Sequence, residues 1–252
     1  MASLDLLQRI LEPLPIRGKG RLANFLLAGN PRQLACHPVR GATVILQSQQ
    51  YAERWMWAGA YERQLVTHMK RKVRKGMTVI DLGANIGYFS VIAAALVGPP
   101  GHLHAFEPIP GNFKRLQENL RPFPWANLHP YAVGNAARQL TMYYSDREAG
   151  WAGVHDLPSR NSSTTVQMIR LDDWLATHPL DRIDFIKLDI EGSELDALLG
   201  ARRMLRHFHP AVVAEAGPNH RHQQMWELLT AEGYRCRIFN DDCILAEFEA
   251  SC

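Results

Sequence analysis

From Gly76 onward, short continuous apolar runs alternate with stretches in which apolar residues recur every three or four positions. Thr78 to Leu82 is an unbroken apolar run ending in Asp-Leu-Gly, the pattern of a strand buried on both faces. Ile86, Phe89, Ser90, Ala93 and Val97 follow with helical period until Gly98-Pro99-Pro100 stops them. The alternation predicts a strand over His102–Phe106, a helix over Asn112–Leu120 and a strand over Leu128–Val133. It resumes with a strand over Asp184–Ile190 and a helix from Ser193 to Gly200, with Asp196 placed to close a capping box. A strand at Ala211–Ala214, a helix from about Asn219 to Ala231, and strands at Tyr234–Phe239 and Ile244–Phe248 complete the series.

Strands alternating with helices imply an α/β fold around a mostly parallel sheet, and the last two strands, closely linked, imply a terminal antiparallel hairpin. Upstream, Leu4, Leu7, Ile10 and Leu11 have helical spacing that Pro13 and Pro15 end. Ala42–Gln47 reads as a strand, and residues 53–72 as one helix with Trp57, Tyr61, Leu65 and Met69 along a stripe. Between Gly134 and Arg182 the alternation breaks, leaving strands at Gln139–Tyr144 and Thr164–Ile169 around a polar link. The expected organisation is an N-terminal helical and strand cap, 1–58, and a main domain, 59–252, carrying an inserted β element at 135–182.

Composition narrows the class without touching the chemistry. With 252 residues, 46% hydrophobic and 21% charged, the chain is an ordinary globular sequence rather than a disordered one. A net charge of +3, spread along the chain, argues against a nucleic-acid partner. The basic run Lys70–Lys75 reads as a solvated helix end. Phe89–Val97, the longest apolar stretch, falls well short of the roughly 20 residues a membrane helix needs, so no membrane partner is expected. Cys36, Cys236, Cys243 and Cys252 form no CxxC pair, and Met1–Pro15 lacks the pattern of a secretory signal. The expected location is the cytoplasm, which leaves the sequon at Asn161 without meaning.

Two segments carry the chemistry. In Val79–Ser90 (VIDLGANIGYFS) a strand ends at Asp81, a turn holds Gly83, Asn85 and Gly87, and a helix begins. Glu107 ends the next strand, where dinucleotide-type folds hold ribose hydroxyls. Asp81 beside the turn would repel a pyrophosphate but favour the ammonium and sulfonium of S-adenosylmethionine (SAM). Tyr88 stands where the third glycine of a dinucleotide fingerprint could fall, which also disfavours NAD. In Asp184–Ala201 (DFIKLDIEGSELDALLGA), Lys187, Asp189 and Glu191 alternate with apolar residues and should share one strand face at the ligand-binding end. Glu215, in VVAEAGPN, should face the same crevice. Asp189 and Glu191 are the candidate proton acceptors, with Lys187 tuning their charge or binding an acidic substrate group, and with His155 as an alternative base. The His-x-His pairs, His102/His104 among them, read as structural. A divalent ion on Asp189, Glu215 and His220 is not required by their spacing, so no metal ligand is assigned. Trp55 and Trp57 read as packing residues.

These blocks, with AFEPIPGNFKRLQENL and HPAVVAEAG between and after them and Gly59-Ala60-Tyr61-Glu62 before, resemble the FkbM-type SAM-dependent methyltransferases over roughly residues 59–250. The resemblance implies a class I, Rossmann-like methyltransferase fold of seven strands, SAM as cofactor, and O-methylation of a hydroxyl or carboxyl on a sugar or natural product. It places Gly83, Asn85 and Gly87 at the methionine part, Glu107 at the ribose, and Asn112 and Ala132 near the adenosine. Glu62, Asp81, Ala84, Tyr88 and Pro108 complete the implied cofactor set. The expected partner is a small-molecule acceptor, with a homodimer as the assembly. The competing readings are an NAD(P)-dependent oxidoreductase and a non-catalytic nucleoside-binding module.

Overall fold

A computed structural model of the chain describes residues 7–8, 10–12, 14, 16–29, 31–145, 152–153, 161–215, 220–240 and 243–248. Its centre is a seven-stranded sheet in the order β12-β13-β11-β10-β3-β4-β5. The five parallel strands are β3 (Thr78–Leu82), β4 (His102–Phe106), β5 (Ala126–His129), β10 (Phe185–Leu188) and β11 (Ala211–Glu215). The hairpin β12 (Tyr234–Asn240) and β13 (Cys243–Phe248) adds antiparallel to β11. This is the expected α/β sheet.

Register and alternation explain why the central strands read as continuous apolar runs. Ile80 and Leu82 of β3, with Ile186 and Leu188 of β10, face a core shared with α6 (Leu171–Thr177), α7 (Glu194–Leu199), α8 (Arg202–Phe208) and α9 (His220–Ala231). Val79, Phe185 and Val213 face the opposite core, shared with α4 (Tyr88–Val97) and α5 (Pro110–Leu120). The N-terminal elements pack into that second core: α1 (Lys19–Leu27), the antiparallel pair β1 (Gln33–Cys36) and β2 (Val44–Gln47), α2 (Tyr51–Trp57) and α3 (Arg63–Lys72). A bidentate ion pair from Arg115 to the buried Glu53 and a hydrogen bond from Ile45 N to Asn119 Oδ1 (2.8 Å) fasten them to α5. Trp57 is a core residue, and Trp55 lies against Gly20 of α1.

Several elements depart from the pattern-based reading. Residues 53–72 form two helices, because Gly59 interrupts the first and Glu62 turns the chain in the left-handed region (φ 42°) before α3. The expected strand Leu128–Val133 is divided: Pro130, lacking an N–H, ends β5, and β6 (Ala132–Val133) leaves for another sheet. That four-stranded sheet, ordered β6-β9-β7-β8, joins it to β7 (Arg138–Tyr144), β8 (Ala152–Gly153) and β9 (Ser162–Ile169). β1, β8, α6 and α8 lie outside the pattern-based reading. The buried Asp172 of α6 accepts hydrogen bonds from Arg203 N (3.1 Å) and Met204 N (2.9 Å), capping α8 from a distance. Ser193 makes no side-chain cap bond. Glu194 accepts from Ile190 N (2.9 Å) and Gly192 N (3.1 Å), fastening the loop that enters the helix. No helix among the described residues is long and apolar enough to cross a membrane.

His104 lies with His129 and Trp174 against the α6 side of the sheet, the two imidazoles sharing a 3.2 Å hydrogen bond. Burial first, and neighbouring imidazoles second, lower His104 to about 3 and His129 to about 4. Unfolding restores both toward 6.5, so the unfolded chain binds more protons on acidification. Their contribution is complete above 6.5 and drains away as pH falls toward the folded values, up to about 2 kcal/mol by pH 5 for the more deeply buried His104 and less for His129. Urea unfolding midpoints should therefore fall from neutral pH to pH 5, and His104→Leu should flatten that fall. Identical pH slopes for native and variant protein would contradict the assignment.

Candidate active site

The C-terminal ends of β3, β4, β10 and β11 open into a cavity of about 200 Å³, the place where open parallel sheets hold ligands. The turn after β3 builds its floor. Gly83 N and Ala84 N both donate to the Phe106 carbonyl (3.1 and 2.9 Å), so the turn is fastened to the end of β4. Glu107 completes the tie: its Oε2 accepts from Asn85 N and its Oε1 from Ile109 N, each at 2.9 Å. Burial pushes the Glu107 carboxyl up to about 7 against these hydrogen bonds.

Next to the turn lies an ion cluster set by strand register. Lys187 of β10 pairs laterally with Asp81 of β3, so both side chains emerge on one face. The Lys187 Nζ lies 3.1 Å from Asp189 Oδ2, 3.6 Å from Asp81 Oδ1 and 3.4 Å from the Gly83 carbonyl. It also sits 5.2 Å from the centre of the Phe89 ring. Burial works to lower the Lys187 pKa, but Asp189 and Asp81 outweigh it and hold the ammonium charged. Burial raises Asp81, restrained by Lys187 and by the Ser90 hydroxyl, which donates to Asp81 Oδ2 at 2.6 Å. Asp189 is 35% exposed toward the cavity. Burial raises its pKa, yet Lys187 and a hydrogen bond with Glu215 bring it below the ordinary value. Glu215 is pushed up to about 9 by burial and by Asp189. The two carboxyls titrate as a pair, with Asp189 the more acidic and Glu215 the less acidic member.

Nine of the eleven residues of the implied cofactor set line the cavity: Glu62, Gly83, Ala84, Asn85, Tyr88, Glu107, Pro108, Asn112 and Ala132. Asp81 and Gly87 do not reach it. Asp81 stands behind the wall on Ser90 and Lys187, and Gly87 N-caps α4 beneath Leu116. Lys187, Asp189 and Glu191 all line it, but not as one strand face. β10 ends at Leu188 and Glu191 adopts φ 56°, so its side chain arrives from a bend. His155 lies outside the described residues, as does the His220 side chain. Among the described residues no three His, Cys, Asp or Glu side chains gather as a metal site.

The pattern missed Tyr61, Ile109, Leu140, Met142 and Met168 as lining residues. Burial, with Asp189 next, raises the Tyr61 phenol, whose ring packs edge-on to Tyr88. Periodicity reads Tyr61 as part of a helical stripe, and the block Gly59-Ala60-Tyr61-Glu62 brings only Glu62 into the cofactor set. Three of the four non-glycine residues with positive φ among the described residues, Glu62, Asn85 and Glu191, border this cavity, which is where backbone strain concentrates at functional sites.

A seven-stranded sheet with this order, a glycine turn after its central strand and an acid ending the neighbouring strand define the class I methyltransferase fold. The chain belongs to the FkbM methyltransferase family: the family model for the methyltransferase FkbM domain matches residues 81–236. Hexuronic acid methyltransferase AglP of Haloferax volcanii is 24% identical over 152 residues, covering 60% of this chain and 61% of the relative. The 31-O-demethyl-FK506 methyltransferase FkbM of Streptomyces tacrolimicus is 30% identical over 159 residues, covering 51% and 61%. The chain thus matches about three-fifths of the length of these curated relatives. A crystal structure of an FkbM methyltransferase from Methylobacillus flagellatus superposes with a TM-score of 0.48 at 20% identity, covering 78% of this chain and 53% of that one.

Gly83 has φ 80°, and a Cβ there would lie 1.8 Å from the Asp189 carbonyl oxygen. Gly192 has φ 96° with nothing within 4 Å of its Cβ position. Gly192→Ala should cost about 1 kcal/mol, the left-handed strain alone, and Gly83→Ala at least about 2 kcal/mol more, because backbone must move. Chemical denaturation measures both; equal losses would contradict the close approach of the two loops.

Proposed function

We propose that the chain is a SAM-dependent O-methyltransferase acting on a hydroxyl, or a carboxyl, of a sugar or natural-product small molecule. The observation that carries this reading is the acid-lined cavity at the strand ends, with Asp189 open to it and Glu62, Glu107, Glu191 and Glu215 around it. A cationic cofactor suits that lining and a pyrophosphate does not. Asn85 Oδ1 is buried in the cavity wall without a hydrogen-bond partner, an acceptor suited to a donor on the ligand. Gly83, Ala84 and Asn85, with Glu62 and Tyr88, would hold the methionine part. Glu107 and Pro108 would hold the ribose, and Asn112 and Ala132 the adenosine. Gly87 and Asp81 shape the turn from behind. SAM, when bound, supplies a methyl group already activated on sulfur.

The protein's own work is to orient the acceptor and receive its proton. Asp189 Oδ is the receiving atom, backed by Glu215, with Glu191 the second carboxylate at the cavity. Lys187 is a positioning residue, since its ammonium is engaged by two carboxylates and a carbonyl. Residues 1–58 and the insert 135–182 choose the acceptor, because Met56 comes from the first and Leu140, Met142 and Met168 from the second. The names of the two relatives, with a hexuronic acid and a 31-O position, support oxygen as the accepting atom. The free thiols Cys36, Cys236 and Cys243 fit a reducing compartment, and we place the enzyme in the cytoplasm.

Because Glu215 ionises only near 9, the pair becomes the stronger base as pH rises through that value. Turnover, read as S-adenosylhomocysteine release across a panel of uronic acids and hydroxylated macrolides, should climb over that range. Glu215→Gln should abolish the climb. Asp189→Asn should reduce kcat by about 10²–10⁴-fold while S-adenosylhomocysteine still binds. Full activity of Asp189→Asn would refute its role.

A further inference from the structure

Six of the nine large apolar side chains exposed among the described residues fall between Ile10 and Leu26: Ile10, Leu14, Ile16, Leu22, Phe25 and Leu26. None of them lines the catalytic cavity. The helix α1 is apolar on two opposite faces. Its inner face, Gly20, Ala23 and Leu27, is buried, with Gly20 pressed so closely on Trp55 that a Cβ would lie 2.5 Å from the ring. Its outer face presents Leu22, Phe25 and Leu26 at i, i+3 and i+4, and Phe25 is 84% exposed. An apolar helix face is ordinarily covered, yet the outer face of this one borders solvent.

Charge identifies the occupant of the outer face. Between Ile16 and Arg32 the sequence has Arg17, Lys19, Arg21 and Arg32 and no acidic residue. Lys19 turns inward, its Nζ donating to the carbonyls of Leu11 (3.1 Å) and Glu12 (2.6 Å), whereas Arg17 and Arg21 are exposed. We propose that α1 docks flat on an anionic phospholipid surface, with Leu22, Phe25 and Leu26 at the acyl boundary and Arg17 and Arg21 among the headgroups. Phenylalanine and leucines flanked by arginines are the composition of interfacial helices. A second copy of the chain fits poorly, since a two-fold contact over this face would set Arg17 and Arg21 of both copies together, and the segment 16–32 brings no acid to receive them. Nine residues of helix lie along such a surface and do not span it.

Sedimentation of the full chain with vesicles tests this, using phosphatidylcholine alone and an equal mixture of phosphatidylcholine and phosphatidylglycerol. The protein should pellet with the mixed vesicles and stay in solution with the neutral ones. Arg17→Gln/Arg21→Gln should weaken partition about thirty-fold, from the loss of two cations near a charged surface. Leu22→Ser/Phe25→Ser should weaken it by more than about tenfold with both arginines intact. Both pairs face solvent, so unchanged unfolding midpoints establish that the variants fold and that any loss is of docking. Absence of native protein from the mixed-vesicle pellet overturns the proposal. A native dimer by light scattering that Leu22→Ser/Phe25→Ser converts to monomer also overturns it, assigning the face to a second copy. The outcome is independent of SAM binding.

Discussion

The buried ammonium of Lys187 holds the cavity end of this sheet together. A charge almost fully removed from water is tolerated only when paired and hydrogen-bonded, and Lys187 has Asp81, Asp189 and the Gly83 carbonyl within 3.6 Å. The pairing with Asp81 follows directly from parallel register, which sets position 187 beside position 81. One cation thereby links the strand before the glycine turn, the turn itself and the loop that carries Asp189. Gly83 is required where those segments touch, because no side chain fits between the turn and the Asp189 carbonyl.

From this cluster the field of the cavity follows. Lys187 is shared between two carboxylates, and Glu62, Glu107, Glu191 and Glu215 add acidic groups at the wall. Two of the carboxyls are pushed upward by burial, Glu107 to about 7 and Glu215 to about 9, so the site holds protons near neutrality that a solvated acidic cluster would release. Strain accompanies charge here: Glu62, Asn85 and Glu191 occupy left-handed backbone conformations at the cavity rim. Charge and strain both cost stability, and the two apolar cores on either side of the sheet offset them.

The parallel strands were legible because burial on both faces writes a continuous apolar run, as in Thr78–Leu82 and Phe185–Leu188. The glycine turn and Glu107 were legible because they sit at strand ends, where spacing along the chain reports position in the fold. What escaped depends on partners distant in sequence. Glu215 is expected in the crevice of Asp189, but their hydrogen bond exists because β10 and β11 are neighbours, which periodicity cannot show. Glu191 seemed to alternate with Lys187 and Asp189 until a left-handed residue ended the alternation. Tyr61 fell into a helical stripe that Gly59 breaks, whereas its neighbour Glu62 was already in the implied cofactor set. The insert supplies Leu140, Met142 and Met168 to the cavity only because β6 departs the main sheet after Pro130 to pair with β9.

A double-mutant cycle between Lys187 and Asp81, read by urea unfolding, addresses the central role of the ion cluster most directly. Lys187→Met alone leaves buried carboxylate without its counter-charge and should cost about 3–5 kcal/mol. Combining it with Asp81→Asn should return at least about 1 kcal/mol of that loss, since the uncompensated charge is removed with its partner. If Lys187→Met costs less than about 1 kcal/mol, or the two substitutions simply add, Lys187 does not hold the site together.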